Sequence, residues 1–334
     1  MYTGIFKSVR SLTDALLKQQ YLLDRTAVTT VYLAGRLGKP LLVEGPAGAG
    51  KTELARALAR ALQTELVRLQ CYPGLDESRA LYEWNYQKQL LYIQSRAAEK
   101  NNWEEIRQSI YTPEFLSVRP VLRAFQADRP VVLLIDEVDK SDEELESFLL
   151  EALSDFQLSI PEFGTVSARH RPFAILTSNN SRELSEALKR RCLHLYLPYP
   201  AEEQELAIIA LKAPGLNRRL AARAVEFVHT LRRLPLKKSP SIAETLDWAH
   251  TLLLMGAEQL DAAVVADSLN VLLKYREDVE QVRPKLESLL PEEEAPKVKT
   301  PLRALGRAAG GGGSATAQEE SAKRPEVDLS RFDF

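Results

Sequence analysis

A glycine-rich octapeptide has the residue types and spacing of a phosphate-binding loop. It consists of Gly45, Pro46, Ala47, Gly48, Ala49, Gly50, Lys51 and Thr52. This order fits the pattern G-x-x-x-x-G-K-[ST], in which backbone N–H groups and a helix N-terminus surround phosphate oxygens. We expect Lys51 between the β and γ phosphates and the Thr52 hydroxyl on Mg²⁺. An accidental glycine turn is disfavoured because a strand-like run precedes the motif and an amphipathic helical pattern follows it.

Two adjacent carboxylates end the apolar run 131–135. Open parallel sheets bind ligands at the carboxyl ends of their strands, where Asp136 and Glu137 would lie. Asp136 is therefore predicted to hold Mg²⁺ through water, and Glu137 to orient and activate an attacking water. The two acids could merely begin a loop, but the phosphate loop upstream argues against that. Asp139 and Lys140 are expected in the connecting loop, and residues 141–144 are interpreted as a capping box.

The apolar run 173–178 ends in Asn179 and Asn180. An amide at this strand end could reach the γ-phosphate or the attacking water. Asn180 is followed three residues later by Glu183, a spacing typical of a helix N-cap. We therefore assign sensing to Asn179 and capping to Asn180, with the reverse assignment as the alternative.

Arg190 and Arg191 directly precede Cys192. Two arginines near a helix end commonly complement the helix dipole. A guanidinium at a domain edge could instead enter a neighbouring subunit's site and stabilise transition-state charge. The sequence pattern alone leaves these two interpretations even.

Apolar runs alternate with helical patterns through the first two hundred residues. Predicted strands lie at 41–43, 65–70, 131–136, 173–178 and 194–197. This alternation favours an α/β fold with a parallel sheet between two helical layers. Helical segments follow near 202–212, 217–233, 241–255 and 261–280, which indicates a separate small helical domain. From about residue 288 the Pro, Glu and Gly content predicts a flexible tail.

Composition narrows the class of protein. The 334 residues suit two domains with a remainder, and the net charge of −2 argues against an obligate nucleic-acid coat. The two cysteines, Cys71 and Cys192, match no metal-ligand spacing and are expected to be buried thiols. The first residues lack the apolar core of a signal peptide, and no run approaches the length of a membrane span. We expect a cytoplasmic protein.

Four motifs in order, GPAGAGKT, VVLLIDE, TSNN and ALKRRC, resemble the Walker A, Walker B, sensor 1 and arginine-finger regions of AAA+ ATPases. Longer stretches, such as QCYPGLDESRALYEWNYQKQLL, resemble the MoxR branch, and within it the ATPases encoded beside carbon monoxide dehydrogenase and other molybdenum hydroxylases. The resemblance covers roughly residues 5–280. It implies a P-loop AAA+ domain over 1–200 and an all-α lid over 201–287. It does not cover residues 288–334, which are expected from their composition to be a disordered tail.

The resemblance also implies an activity and partners. The protein is expected to hydrolyse ATP with Mg²⁺ as a homo-oligomeric, usually hexameric ring, and to remodel or mature a client such as a metalloenzyme. A partner with a von Willebrand factor A domain is typical of such ATPases. Lys51, Thr52, Asp136, Glu137 and Asn179 keep the roles given above. Arg191 becomes the favoured arginine finger, with Arg190 in reserve.

One position departs from the MoxR pattern. Many relatives place a nucleotide-contacting lid arginine after Ser-Pro, whereas Ser239-Pro240 is followed here by Ser241. The second sensor is therefore missing or supplied from elsewhere, with Arg218 or Arg219 as candidates.

Two segments exceed a minimal nucleotide-binding fold. Residues 72–125 are long for a crossover, and the resemblance suggests a client-facing insert there, although their aromatic residues could equally belong to the core. These aromatic residues are Trp84, Tyr86, Tyr92, Trp103 and Tyr111. Residues 158–172 predict a hairpin around Phe163-Gly164.

Two other functions remain open from the sequence. A DNA-acting AAA+ motor is disfavoured by the lack of net positive charge and of a base-stacking platform, and nucleic acid is therefore not expected as a partner. A nucleotide-gated scaffold that rarely hydrolyses ATP is disfavoured by Glu137.

Overall fold

The computed structural model describes residues 5–96 and 109–290, without the side chains of Glu77 and Ser78. Trp103 lies outside the described residues. So does the predicted tail, 288–334, from residue 291 onward. In the described ranges, no helix combines the length and apolar character needed to cross a membrane.

Five strands form one parallel sheet, as the sequence predicts, and four others form two small antiparallel pairs. The strands are β1 (Leu41–Glu44), β2 (Leu66–Gln70), β3 (Tyr82–Trp84), β4 (Leu116–Val118), β5 (Val132–Asp136), β6 (Gln157–Ile160), β7 (Gly164–Ser167), β8 (Phe173–Ser178) and β9 (Leu193–Tyr196). The central sheet has the order β2-β5-β8-β1-β9, and all of its pairings are parallel. The carboxyl ends of β1, β5 and β8 therefore meet at one edge.

Helices cover both faces of the central sheet. Those before residue 200 are Val9–Lys18, Arg25–Leu37, Lys51–Leu62, Glu77–Ala80, Tyr86–Ser95, Pro120–Gln126, Glu143–Asp155 and Glu186–Arg191. Short 3₁₀ turns occur at Ile5–Lys7, Pro113–Phe115, Val138–Lys140 and Arg283–Lys285.

The central strand β5 is apolar throughout because both of its faces are covered. Leu133 and Ile135 join the core that contains helices 120–126 and 143–155. Val132 and Leu134, alternating with them, join the core that contains helices 25–37 and 51–62. The predicted three-layer α/β arrangement is confirmed.

The described chain after residue 201 is helical. Its helices are Glu202–Lys212, Arg218–Arg232, Ile242–Leu254, Ala262–Leu272, Arg276–Val282 and Leu286–Leu289. They enclose a core in which the ring centroids of Phe227 and Trp248 lie 5.7 Å apart. The segment expected as one helix over 261–280 is two helices, because Leu273 is extended and buried in this core.

The hairpin predicted over 158–172 is present as β6 and β7, with Ile160 opposite Gly164. Within 72–125, β3 and β4 pair antiparallel. Trp84 is buried against Tyr111 and Phe163, whereas Tyr86 is 66% exposed.

Two helix starts differ from the sequence interpretation. Helix 143–155 is capped by Asp142, whose carboxylate accepts from the Leu145 amide, so Ser141 is not the cap. The helix expected to follow Asn180 begins only at Glu186, and Ser185 caps it. A capping role for Asn180 is therefore wrong.

Candidate functional site

The loop 45–50 joins β1 to helix 51–62 and requires glycine at two close contacts. At Gly45 (φ +152°), a Cβ atom would lie 2.1 Å from the Leu197 carbonyl oxygen. At Gly48 (φ +79°), it would lie 2.1 Å from the Ser241 Oγ. Gly50 provides no side-chain cap for helix 51–62. The first N–H groups of this helix are therefore without a side-chain capping acceptor, as anion binding there requires.

Lys51 is buried at the base of this loop. Its ammonium donates to the carbonyl oxygens of Gly45 and Pro46 and to Asn179 Oδ1, each at 2.8 Å. Burial lowers the pKa of Lys51, and nearby carboxylates, with Asp139 the largest contributor, act in the opposite direction. The cation therefore lies at the end of β8 as well as in the loop.

Asp136 ends β5 next to Thr52. The Thr52 hydroxyl lies 3.0 Å from Asp136 Oδ1 and 3.2 Å from Oδ2. Thr177 on β8 donates to Oδ1 at 2.6 Å, and its hydroxyl accepts from the Glu137 amide at 2.9 Å. The hydroxyl and carboxylate predicted at the metal site are therefore in contact.

Glu137 has a left-handed backbone (φ +57°) and makes three side-chain contacts. Its Oε1 accepts from Asn179 Nδ2 at 3.3 Å. Its Oε2 accepts from Gln70 Nε2 at 2.8 Å and Lys140 Nζ at 2.7 Å. Asn179 thus bridges Lys51 and Glu137, whereas the exposed Asn180 bonds only to Ser178 among the described contacts.

The turn after Glu137 holds the loop that carries Asn179. Asp139 is buried, and its Oδ2 accepts from the Ser181 amide at 2.9 Å and hydroxyl at 2.6 Å. Burial disfavours the charged carboxylate, but hydrogen bonds from Ser181 and from the Asn179 and Asp139 amides together outweigh it and hold the pKa of Asp139 below its usual value. Asp139 and Lys140, expected only as loop residues, therefore contact the site and its supporting loop.

Beta strand β2 contributes two polar residues that sequence reasoning missed. Arg68 donates from Nε and a terminal nitrogen to Asp136 Oδ2, at 3.1 and 2.6 Å. Gln70, two residues later on the same face, contacts Glu137. The alternation of apolar and polar residues in 67–70 was the available signal.

A cavity of about 450 Å³ extends from the phosphate loop to the C-terminal helices. Its lining includes Lys51 and Asp136 together with apolar residues from four other segments. These are Leu22, Leu23, Leu197, Pro198, Pro200, Ile208, Ile242 and Leu246. Such a cavity combines charged groups beside the phosphate loop with apolar side chains, which suits a phosphate ester of a flat base.

The C-terminal helices contact the phosphate loop without the expected arginine. Ser241 lies at Gly48 and caps helix 242–254 in a capping box with Glu244. Arg218 and Arg219 are absent from the described cavity lining, where the cation contributed by the C-terminal helices is Lys212. Neither arginine is therefore placed as a second sensor.

A further contact runs through Tyr199. Its hydroxyl donates to the Ala47 carbonyl at 3.1 Å, and its ring lies 5.1 Å from the Arg232 guanidinium. Arg232, 10% exposed in its side chain, pairs with the fully buried Glu205 at 2.6 Å. No local pattern in the sequence signals this connection.

Arg190 and Arg191 are exposed, and they lie away from Asp136 and Glu137 of the same chain. They precede β9, whose first residue Leu193 is opposite Leu41 at the amino end of the sheet. Asp136 lies at the carboxyl end. The Arg191 guanidinium contacts Ser154 and the Ala187 carbonyl.

The residues present fit a nucleoside triphosphate with Mg²⁺. The glycine cradle, which a Cβ at Gly45 or Gly48 would fill, precedes a helix N-terminus and a buried lysine. Thr52 and Asp136 supply the oxygen donors that Mg²⁺ prefers.

Residues 40–192 match the family model of the AAA domain, dynein-related subfamily. The segment that holds the phosphate loop, Asp136 and Glu137 therefore resembles an AAA domain. It is 25% identical over 243 residues to the denitrification regulatory protein NirQ of Pseudomonas aeruginosa, covering 70% of this chain and 83% of NirQ. It is 22% identical over 267 residues to an uncharacterized protein of Staphylococcus haemolyticus, covering 76% of this chain and 94% of that one.

Solved structures of RuvB are also similar. A proline-to-glycine mutant of Thermotoga maritima RuvB is 18% identical, with a TM-score of 0.47 over 80% of this chain and 77% of that chain. The same organism's RuvB Holliday junction branch migration motor has a TM-score of 0.43 at 18% identity, covering 86% of this chain and 80% of that chain.

Proposed function

We propose that this chain is an ATP-hydrolysing machine of the MoxR type that remodels or matures a client protein. The observation that carries the proposal is the continuous contact from Lys51 through Asn179 to Glu137, beside the Thr52–Asp136 pair. It brings a phosphate-binding cation, an amide and a carboxylate base to one end of one cavity.

The loop and Lys51 bind the triphosphate. Backbone N–H groups at the start of helix 51–62 face the phosphate oxygens, and Lys51 exchanges its carbonyl partners for them. Thr52 and, through water, Asp136 would hold Mg²⁺, which would supply charge that stabilises the phosphate oxygens. The base and ribose would lie against the apolar residues of the cavity lining.

Glu137 acts as the base. Its carboxylate takes a proton from the attacking water, while the Asn179 amide, bonded to both Lys51 and Glu137, orients that water toward the γ-phosphate. The backbone of Glu137 is fixed by its N–H bond to Thr177, which also contacts Asp136. Thr177 thus holds both the residue proposed for metal binding and the residue proposed for water activation.

Hydrolysis requires a neighbouring subunit. Arg191 is the proposed arginine finger, and Arg190 is the alternative. Arg191 is exposed at the end of the sheet opposite to Asp136 and Glu137 of the same chain. A guanidinium in this position serves the site of an adjacent copy, and a closed ring, usually of six subunits, provides such a copy at every site.

The client and partner follow from the MoxR resemblance. NirQ is named a denitrification regulatory protein, and its similarity supports a role in controlling or maturing other enzymes. The finer proposal is a metalloenzyme client of the molybdenum hydroxylase type, reached through a partner with a von Willebrand factor A domain. The 72–125 segment, with Tyr86 exposed, is a candidate contact surface for the client.

Two variants test the ATPase proposal. Lys51→Ala should abolish nucleotide binding, whereas Glu137→Gln should bind ATP and lose hydrolysis, because one residue holds phosphate charge and the other activates water. Fluorescent-nucleotide titration and phosphate release measure both effects. Turnover of Glu137→Gln within about threefold of wild type would remove Glu137 from catalysis.

The same Glu137→Gln variant addresses the client. Purified from its native host with ATP, it should retain the client and the partner, which are then identified by mass spectrometry. A wild-type protein that binds ATP and assembles without measurable turnover would instead favour the nucleotide-gated scaffold.

A further inference from the structure

Arg68 contacts the carboxylate that faces the metal position. It lies in the middle of β2, which pairs with β5, and donates twice to Asp136 Oδ2, at 3.1 and 2.6 Å. The side chain of Asp136 is 3% exposed, and that of Arg68 is 43% exposed. The pair therefore joins a fixed, buried carboxylate to a cation that also faces solvent.

Both oxygens of Asp136 are already engaged. Oδ1 accepts from Thr52 and Thr177, and Oδ2 lies near Thr52 as well as Arg68. A carboxylate has about four acceptor positions. A water molecule held on a metal ion therefore needs one of these partners to leave Asp136.

Arg68 is the partner free to leave. Thr52 is fixed in the first turn of helix 51–62, and Thr177 is tied to the Glu137 amide at 2.9 Å. Arg68 has a flexible, half-exposed side chain with a second acceptor, because its terminal nitrogen also donates to Gln70 Oε1. After release from Asp136, the guanidinium keeps the Gln70 bond and water.

Charge also favours this exchange. Arg68 is the cation bonded to Asp136 among the described residues, and Mg²⁺ brings two positive charges to the same carboxylate. Two cations at one carboxylate repel each other at short range. Binding of one therefore weakens binding of the other.

We propose that Arg68 is a metal-gating residue, which neutralises Asp136 before a metal ion binds and lowers the affinity of the site for a divalent cation until it is displaced. This inference rests on the proposed function, since it takes the cavity to be a Mg²⁺–nucleotide site. Arg68 acts through Asp136 and contacts no reacting atom. Its effect therefore falls on metal affinity rather than on metal-free nucleotide binding.

Removing the charge of Arg68 tests the gate directly. Mn²⁺ is titrated into protein held in excess over ADP, and free Mn²⁺ is followed by electron paramagnetic resonance. Arg68→Gln should bind Mn²⁺ about fivefold more tightly than wild type, the upper range for an ion pair of partial exposure. Arg68→Lys, which keeps the charge, should stay within about twofold of wild type.

Two controls separate this effect from a structural one. Arg123→Gln removes a cation that pairs with Glu65 near the start of β2, 2.6 Å apart, and should leave Mn²⁺ affinity unchanged. ADP affinity in the presence of EDTA should differ by no more than about twofold between Arg68→Gln and wild type. Melting curves of each variant verify folding.

A second measurement uses the unmodified chain. Arginine modification by phenylglyoxal, located by mass spectrometry, should increase at Arg68 when Mn²⁺ joins ADP, because the guanidinium leaves Asp136. Unchanged or reduced modification overturns the proposal, even if Arg68→Gln fails to fold.

The outcomes distinguish the two proposals. Equal or weaker Mn²⁺ binding by folded Arg68→Gln, with normal Mn²⁺ and ADP binding by wild type, overturns the gate alone. Absence of ADP binding by wild type in EDTA overturns both the gate and the proposed function.

Discussion

The side-chain amide of Asn179 donates to Glu137 at 3.3 Å, although the two residues follow different strands. The strands β5 and β8 are hydrogen-bonded neighbours, so their carboxyl ends bring the two polar groups together. The same Asn179 accepts from Lys51. One amide therefore contacts both the phosphate-binding cation and the proposed base.

Asn179→Ala should lower turnover by about 10²-fold, a loss comparable to that of one oriented transition-state donor. ATP affinity should change far less, because the loop contacts of Lys51 still place its ammonium where the phosphates bind. Steady-state phosphate release and nucleotide titration measure the two effects. Asn180→Ala is the matched control and should retain turnover; the reverse pattern would transfer the sensing role to Asn180.

Tyr199→Phe should weaken ATP binding by a few-fold. The variant loses the hydroxyl bond to Ala47, which is worth about 1 kcal/mol, but keeps the ring against Arg232. Titration with a fluorescent ATP analogue measures the loss, and an unchanged melting temperature shows that the ring packing remains. Tyr275→Phe, whose ring lies over Lys237, is the control. Equal affinity in all three proteins would show that Tyr199 does not support the loop.

Arg191→Ala should reduce hydrolysis by about 10³-fold with little change in ATP affinity, since an arginine finger acts on transition-state charge. Mixing Arg191→Ala with Lys51→Ala subunits should restore part of the activity, because interfaces at which a Lys51→Ala subunit supplies Arg191 to the site of an Arg191→Ala subunit combine an intact finger with an intact site. Lys189→Ala, from the same helix end, serves as the control. Normal turnover by a demonstrated monomer, without rescue on mixing, would reject the role in trans.

Asp139→Asn should destabilise the fold at neutral pH by about 2 kcal/mol, the worth of a hydrogen-bonded charge. The folded-state pKa of Asp139 is below its unfolded value, so its stabilisation is present above about pH 4 and is lost as pH falls through the folded pKa. In urea unfolding measured from pH 7 to acidic pH, the difference in free energy of unfolding between variant and wild type should therefore decrease as the pH falls. If this difference in free energy of unfolding does not depend on pH, the destabilisation is due to packing. Asp142→Asn, which preserves a capping side chain, is expected to change little.

The sequence predicted those elements whose signal is local. Beta strand β5 was predictable because a continuous apolar run needs cover on both faces, and the loop before Lys51 because its glycines have a fixed spacing. Arg68 and Gln70 were missed because their roles depend on which strand pairs with β5, and local periodicity does not specify strand order. Asn180 was misassigned because both Asn180 and Ser185 are residue types that cap helices. Tertiary packing decides that the helix begins at Glu186, after Ser185.

Beta strand β9 connects the proposed arginine finger to the phosphate loop. Arg191 stands just before it, and Leu197, whose carbonyl touches the Gly45 position, stands just after it. The strand is anchored to β1 at both ends, by the Leu193 amide on the Pro40 carbonyl and the Leu197 amide on the Glu44 carbonyl, each at 2.8 Å. An extended segment of about 13 Å thus connects the proposed finger to the phosphate cradle. In the proposed ring, a displacement of Arg191 by an adjacent subunit would therefore be transmitted along β9 to the cradle of the same chain.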